Sequence, residues 1–409
     1  RSFTAILLAV ALVAAFACIA GCTGTSTDDV THLSIGYQPS THQIAHMTAM
    51  EKGWWKDDLA PLGITKVTDY QFGTGAPEMQ AMLAGDLDIA YVGSAPFITA
   101  VSNNGLDAKI VAAVQTQGSD LVLRNEIPYS TPADHVGKKI ATFPPGTIQD
   151  TIFRTWLEEN GVDPAKVTIV AMDPGAATTA ISAGQVDGVF LPHPSPAIIE
   201  AEGTGRTVVQ SGEMLKDHAC CVLVASGSLI REHPEIVEQI VRTHIKATEY
   251  NLEHQDEAAS IYAKKTGQNV ETVKASFRDW DGTWTADPRV ITSSVVEYTN
   301  LQYELGYINK HLTEDDLFDL SFYEKAGHNP GPDLFFPKSI FYGDADEVLK
   351  NIPGGPVGGS PGSNTFEQRN RDMNRQTQKR LLGIAALVTA AVIWQIIAEY
   401  VVGRSFILP

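Results

Sequence analysis

Cysteine is scarce: there are 4 in 409 residues, and Cys18 and Cys22 fall within the first 22 positions. The other two, Cys220 and Cys221, are adjacent. Neighbours on a regular strand point to opposite faces, so a bond between them would be strained. No disulfide framework is therefore expected, and the pair reads as two small apolar residues of a strand over Cys220–Ala225. Positive charge is also short, with 30 Lys and Arg against 48 Asp and Glu and a net charge of −18. No basic run interrupts the stretch from Asp28 to Asn364, which argues against a nucleic-acid partner because phosphate neutralisation needs clustered cations. The chain has no HExxH, no GxSxG and no GxxxxGK[ST], so zincin, hydrolase and P-loop ATPase chemistry have no support.

Long apolar runs are confined to the two ends. The first, Ala5–Phe16, closes on Ile19, Ala20, Gly21 and Cys22. A short apolar run ending in small residues has the form of an export signal and is short for a membrane span. Its end resembles a lipobox, which predicts that residues 1–22 are a signal peptide and that Cys22 takes a lipid as the mature N-terminus. The following domain is then extracytoplasmic and membrane-anchored. With 44% hydrophobic residues, 34 Gly and 22 Pro, the chain suits many short connections and two α/β lobes.

The pattern along the chain agrees. Strands are expected over His32–Gln38, Val67–Phe72 and Leu87–Val92, with helices over Thr41–Lys52 and from Gly75 to Ala84. A second unit has strands over Lys139–Phe143 and Val167–Met172, and helices over Thr147–Asn160 and Gly175–Ala183. Alternation over short loops predicts a largely parallel sheet. The units also echo each other: MLAGDLDIAYVGSAP (Met82–Pro96) aligns with ISAGQVDGVFLPHPS (Ile181–Ser195), pairing Asp88 with Asp187, Tyr91 with Phe190 and Ser94 with His193. The stretch from Glu232 to Asn309 is mainly helical, and after Gly327 the composition turns to Gly, Pro and Asn, a linker.

Ligands of open α/β sheets bind beyond the carboxyl ends of strands, where helix N-termini present N–H groups. Those strand ends supply Gln38, Thr41 and His42, then Gly75 and Ala76, then Ser94. Further along they supply Gln117, Gly118 and Ser119, then Gly146 and Thr147, and finally His193. Each is also an ordinary turn or cap residue.

The segments IGYQ, KGWWKDDLAPLGI, GAPEMQAMLAGDLDIAYVGSAP, ATFPPGTIQDTIFRTWLEENGVDPAKV and ISAGQVDGVFLPHPSPAI resemble, in order from His32 to Leu320, the solute-binding proteins of ABC importers for nitrate, sulfonates, taurine and bicarbonate. The resemblance implies a two-lobed, hinged periplasmic-binding-protein-like fold of type II. It implies capture of a small anionic or polar solute and its delivery to a membrane permease and ATPase, without catalysis or cofactor. On that pattern residues 23–31 are a tether, 32–114 the first part of lobe 1, 115–218 lobe 2, and 219–328 the return to lobe 1. The lobes would cross near Gln115–Ser119 and Ala219–Val222. Gln38, Gly75, Ala76, Ser94, Gly118, Ser119, Gly146 and Thr147 fall where the family lines its cleft. Where many relatives carry an acidic residue this chain has His193, which becomes cationic near pH about 6.5 and would suit an anion.

Other readings remain open on the sequence. One is a pyrimidine (thiamine-precursor) binding protein or a related enzyme, whose cysteine-rich strand is similar to Cys220–Cys221. A metal role would draw on His42 and His46 at i,i+4 spacing, although no third ligand is evident. A membrane-anchored sensor would use the second apolar run, 381–402, which is long enough to span. Arg369, Arg371, Arg375, Lys379 and Arg380 precede that run and Arg404 follows it, which puts the preceding segment in the cytoplasm, opposite to an exported domain. Residues 373–409 resemble the start of the permease of the same importer class. The expectation is therefore two joined proteins, with residues 329–372 as the linker between them.

Overall fold

The computed structural model describes residues 30–327. The signal, Cys22, the Gly/Pro linker and the 381–402 run lie outside the described residues. Among the described residues no helix is long and apolar enough to cross a membrane.

Among the described residues eleven strands occur in chain order: β1 (His32–Tyr37), β2 (Lys66–Gln71), β3 (Ile89–Gly93), β4 (Ala108–Thr116), β5 (Ser119–Arg124), β6 (Lys139–Thr142), β7 (Thr168–Ala171), β8 (Gly188–Pro192), β9 (Gly205–Gln210), β10 (Ala219–Ser226) and β11 (Thr283–Trp284). They form two sheets, ordered β11-β4-β10-β3-β1-β2 and β7-β6-β8-β5-β9. Four of the nine strand pairings among the described residues are parallel and five antiparallel, fewer parallel than the sequence predicts; apart from β11 against β4, the antiparallel pairs follow one rule. β10 runs against β3 and β4, and β5 runs against β8 and β9. In each sheet the reversed long strand is the one that arrives from the other sheet: β5 follows β4, and β10 follows β9. Short crossings turn the chain back on itself, so the exchanged strand has to enter antiparallel.

The internal repeat has a geometric counterpart. β1 pairs in parallel with β2 and β3, and β6 with β7 and β8. Asp88 Oδ2 accepts from the Ser34 N–H at 2.7 Å, while the Asp88 N–H donates to Ser34 O at 3.0 Å. Asp187 repeats both bonds with Lys139, at 2.8 Å each. In both halves an aspartate ties the start of the middle strand of the parallel triplet, β1 or β6, and the paired Tyr91 and Phe190 are fully buried three residues on.

The helical segment behind the first sheet is tied into it. The Pro234–Glu253 helix buries Ile236, Val237, Ile240 and Val241 on one face, at i, i+1, i+4 and i+5. From the same helix His244 donates through Nε2 to Ala113 O at 2.7 Å and accepts the Tyr91 hydroxyl at Nδ1, 3.0 Å away. Burial lowers the His244 pKa to about 4, which keeps the ring neutral and suited to both bonds.

Asp88→Ala should destabilise by about 1–3 kcal/mol through a stranded, part-buried Ser34 N–H, and Asp187→Ala by less, because the Lys139 N–H it frees is exposed to water. Urea unfolding checks this. A cost for Asp187→Ala as large as that for Asp88→Ala would show that exposure does not set the difference.

Candidate functional site

The two sheets face a cleft of about 620 Å³. It receives Gln38 from the end of β1, Gly75 from the start of one helix, and Thr147, Ile148 and Gln149 from the start of another. Asp173 and Pro174 bring a third helix start. Thr147 caps its own helix, its Oγ1 accepting from the Asp150 N–H at 3.4 Å, and Asp173 does the same for Ala176 at 2.9 Å. The Gly75–Ala84 helix differs: its N-cap, Thr74, makes no side-chain cap, which leaves the first-turn N–H groups available to an anion. Gly75 itself cannot carry a Cβ, which would meet Pro96 Cγ at 2.7 Å.

Charge in the cleft is sparse. Lys265 is the one Lys or Arg among its described lining residues. Its Nζ lies 2.6 Å from Asp69 Oδ2. The carboxyl of Asp69 is held well below the usual carboxylate range by its bond to His46 and its pairing with Lys265, so this corner keeps its ions at neutral pH. Beneath the cleft Glu78 is fully buried. Its Oε2 accepts from Gln38 Nε2 at 2.8 Å, and its Oε1 has no partner among the described residues. Burial pushes this carboxyl well above the ordinary range despite the Gln38 bond and so favours its protonated form.

The adjacent cysteines correct the sequence reading. Pairing of β10 with β4 slips at this point: Ala219 stands opposite Thr116, and Cys221 opposite Gln115. The bulge breaks the alternation that would have separated the side chains. Both thiols line the cleft, with Sγ atoms 3.9 Å apart and no disulfide between them. His42 joins them, its Nδ1 3.4 Å from Cys220 Sγ, and Gln43 Nε2 reaches Cys221 Sγ at 3.6 Å. Of the two thiols, Cys221 ionises more readily, because Cys220 and Gln43 donate to its sulfur.

The other expected residues divide. Gln38, His42, Gly75 and Thr147 line the cleft. Thr41 is buried, its N–H donating to His193 O at 3.2 Å and its O accepting from Trp284 Nε1 at 2.9 Å. Ala76 is exposed beside Gly75, and Ser94 is fully buried, its Oγ without a partner among the described residues. Gln117 and Gly118 form the crossing between β4 and β5, both at positive φ (54° and 81°). The Ser119 Oγ accepts from Gln149 at 3.0 Å, and Gly146 O accepts from Gln302 at 3.0 Å.

His193 departs from expectation. Its flanking Pro192 and Pro194 line the cleft, but its ring is 2% exposed and bonded at 3.0 Å both to Asp120 Oδ2 and to Ser276 Oγ. Whatever positive charge it carries is matched by a buried carboxylate, so it offers no free cation to a ligand. His42 and His46 do not converge either. The Thr41–Gln43 turn is a 3-10 helix, and His46 packs among Tyr37, Trp55 and Tyr91 and bonds to Asp69 at 3.4 Å. Sequence reasoning missed Lys265, Gln43, Tyr262 and Asp281. No local pattern marks them, since they reach the site from helices and loops that pack there only in the fold.

The NMT1-like family model matches residues 26–265. A putative aliphatic sulfonates-binding protein of Bacillus subtilis is 26% identical over 332 residues, covering 79% of this chain and 98% of that protein. The taurine-binding periplasmic protein of Escherichia coli is 26% identical over 187 residues, 46% of this chain and 58% of that one. Among solved structures, the periplasmic nitrate-binding protein NrtA from Synechocystis superposes with a TM-score of 0.65 at 16% identity, over 73% of this chain and 89% of that one. This likeness supports a periplasmic-binding-protein-like α/β fold.

If Glu78 is protonated in the fold and ionised when unfolded, the native state holds the extra proton. Stability is then greatest below the unfolded pKa of about 4.3 and falls as pH rises toward the raised folded value. Glu78→Gln should remove a slope approaching about 1.4 kcal/mol per pH unit in that window. Urea midpoints measured against pH read it, and identical slopes in both proteins would mean an ionised Glu78.

Proposed function

The chain belongs to the NMT1-like family, and we propose that it is the extracytoplasmic solute-binding component of an ABC importer. It captures a small anionic or polar solute of the sulfonate, taurine, nitrate or bicarbonate type and presents it to a membrane permease with its ATPase. The observation that carries this reading is the cleft itself. A cavity of about 620 Å³ lies between two sheets joined by two short crossings, with an uncapped helix N-terminus at Gly75 and one cation, Lys265, among its described lining residues. That volume suits a small molecule. The Bacillus subtilis and Escherichia coli relatives are named as binding proteins, which supports binding without turnover.

In this reading the lobes are residues 32–114 with 219–328, and residues 115–218. Closure rotates one sheet toward the other about Gln117–Gly118 and the segment before β10. Lipidation at Cys22 holds the protein at the membrane, and residues 373–409 belong to a permease of the same importer. Sequencing the encoding DNA through residues 362–373 tests that last point, because an intact frame continuing into further spans would establish a natural fusion.

The binding reading is tested by thermal shift and calorimetry of the purified protein with an alkanesulfonate, taurine, nitrate and bicarbonate. One of them should raise the melting temperature, since a ligand of the native state stabilises by RT ln(1 + [L]/Kd). Solution scattering should show compaction. Lys265→Met should weaken an anion about tenfold, less at high salt. No shift with any of the four, together with product formation from one of them, would replace the binding reading with an enzymatic one.

A further inference from the structure

The floor of the cleft carries a cluster that solute binding does not require: His42, Cys220 and Cys221, with ligand atoms all within 4.8 Å of one another. All three are buried, yet each lines the cavity. We propose that this floor is a zinc site in which His42 Nδ1, Cys220 Sγ and Cys221 Sγ hold one Zn²⁺ whose fourth coordination position opens into the cleft.

Three independent features support it. The first is spacing. With Zn–S of about 2.3 Å and Zn–N of about 2.0–2.1 Å, tetrahedral coordination sets two sulfurs about 3.8 Å apart and nitrogen about 3.5 Å from sulfur. Two observed separations match, 3.9 Å between the sulfurs and 3.4 Å from His42 Nδ1 to Cys220 Sγ, and the third edge, His42 to Cys221, lies within 4.8 Å and has to close on the metal. The second is the histidine tautomer. His42 Nε2 lies 2.7 Å from Gly118 O, an acceptor only, so Nε2 bears the proton and Nδ1 presents its lone pair toward the sulfurs. Metal-bound histidines are held by a second bond of this kind to a backbone carbonyl. The third is charge. Two thiolates and a neutral imidazole neutralise Zn²⁺, so the loaded site adds no net charge to a buried floor. Binding forms two Zn–S bonds and one Zn–N bond and releases the two thiol protons to solvent.

Three protein ligands with one open position is the arrangement of zinc sites that bind a further ligand, and an oxygen of a molecule in the cleft can complete it. The zinc site stands on its own geometry and does not depend on which solute is carried.

The experiment uses the full chain in detergent, reduced with a phosphine under anaerobic conditions and freed of metal. Titration with Zn²⁺ should show one tight equivalent. Replacing Zn²⁺ with Co²⁺ should give a thiolate-to-metal charge-transfer band in the wild-type protein, a reading that needs no variant. Cys220→Ser and Cys221→Ser should each weaken Zn²⁺ by at least about a hundredfold and abolish the band. His46→Gln, altering the histidine that faces Asp69, should keep both. The proposal is overturned if the reduced protein takes up no Zn²⁺. It is equally overturned if uptake proceeds without the charge-transfer band, or if folded double Cys→Ser protein binds as well as wild type.

Discussion

One carboxylate holds the two crossings in register. Asp281 accepts from the Gly118 N–H at 2.8 Å on the first crossing and from the Gly212 N–H at 2.6 Å on the second. Burial raises its pKa, and the two backbone bonds oppose that rise by favouring the ionised form. A side chain at Gly118 would collide with Trp280 and Gln115 at 2.6 Å, and its φ of 81° disfavours any other residue. With Gly118 pinned in this way, its carbonyl orients His42, and His42 in turn faces the two thiols. The relation between the sheets and the chemistry of the cleft floor thus share a single anchor.

Around that anchor the molecule is a duplicated half-sheet with exchanged strands. Each half supplies three parallel strands and an aspartate lock, Asp88 or Asp187, and each receives its reversed strand from the other half. Exchange makes the lobes interdependent while leaving only short segments between them. It also puts the β10 bulge, with Cys220 and Cys221, where β10 begins just after the second crossing. Buried ionisable groups near the cleft are shifted by burial or paired: burial raises the Glu78 carboxyl, and His193 is bonded to Asp120. Positive character facing the cleft is left to the uncapped helix start at Gly75 and to Lys265, which shares its charge with Asp69.

Much of this was legible in the residues alone. Alternating apolar runs, Pro and Gly at helix ends, and the Ala-Gly…Asp…Pro echo located the strands, the helix starts and the repeat, because each depends on local backbone preferences and a period of 2 or 3.6. Gln38, His42, Gly75 and Thr147 were reachable by the same route, as residues at strand ends that must precede a turn. His193 was not. Its sequence neighbours are two prolines, while its real partners, Asp120 and Ser276, are 73 and 83 residues away.

The sequence by itself therefore determined the α/β alternation, the duplication and the strand-end positions, since these are settled by contacts within a few residues. The tertiary structure alone decided which side chains meet: the antiparallel entry of β5 and β10, the approach of Lys265 to Asp69, and the convergence of His42 with Cys220 and Cys221. The physical reason is the bulge at Cys220 and the crossing at Gly118. The bulge overrides local alternation and becomes visible only when β10 lies against β4, and the Gly118 crossing is held by Asp281, 163 residues away.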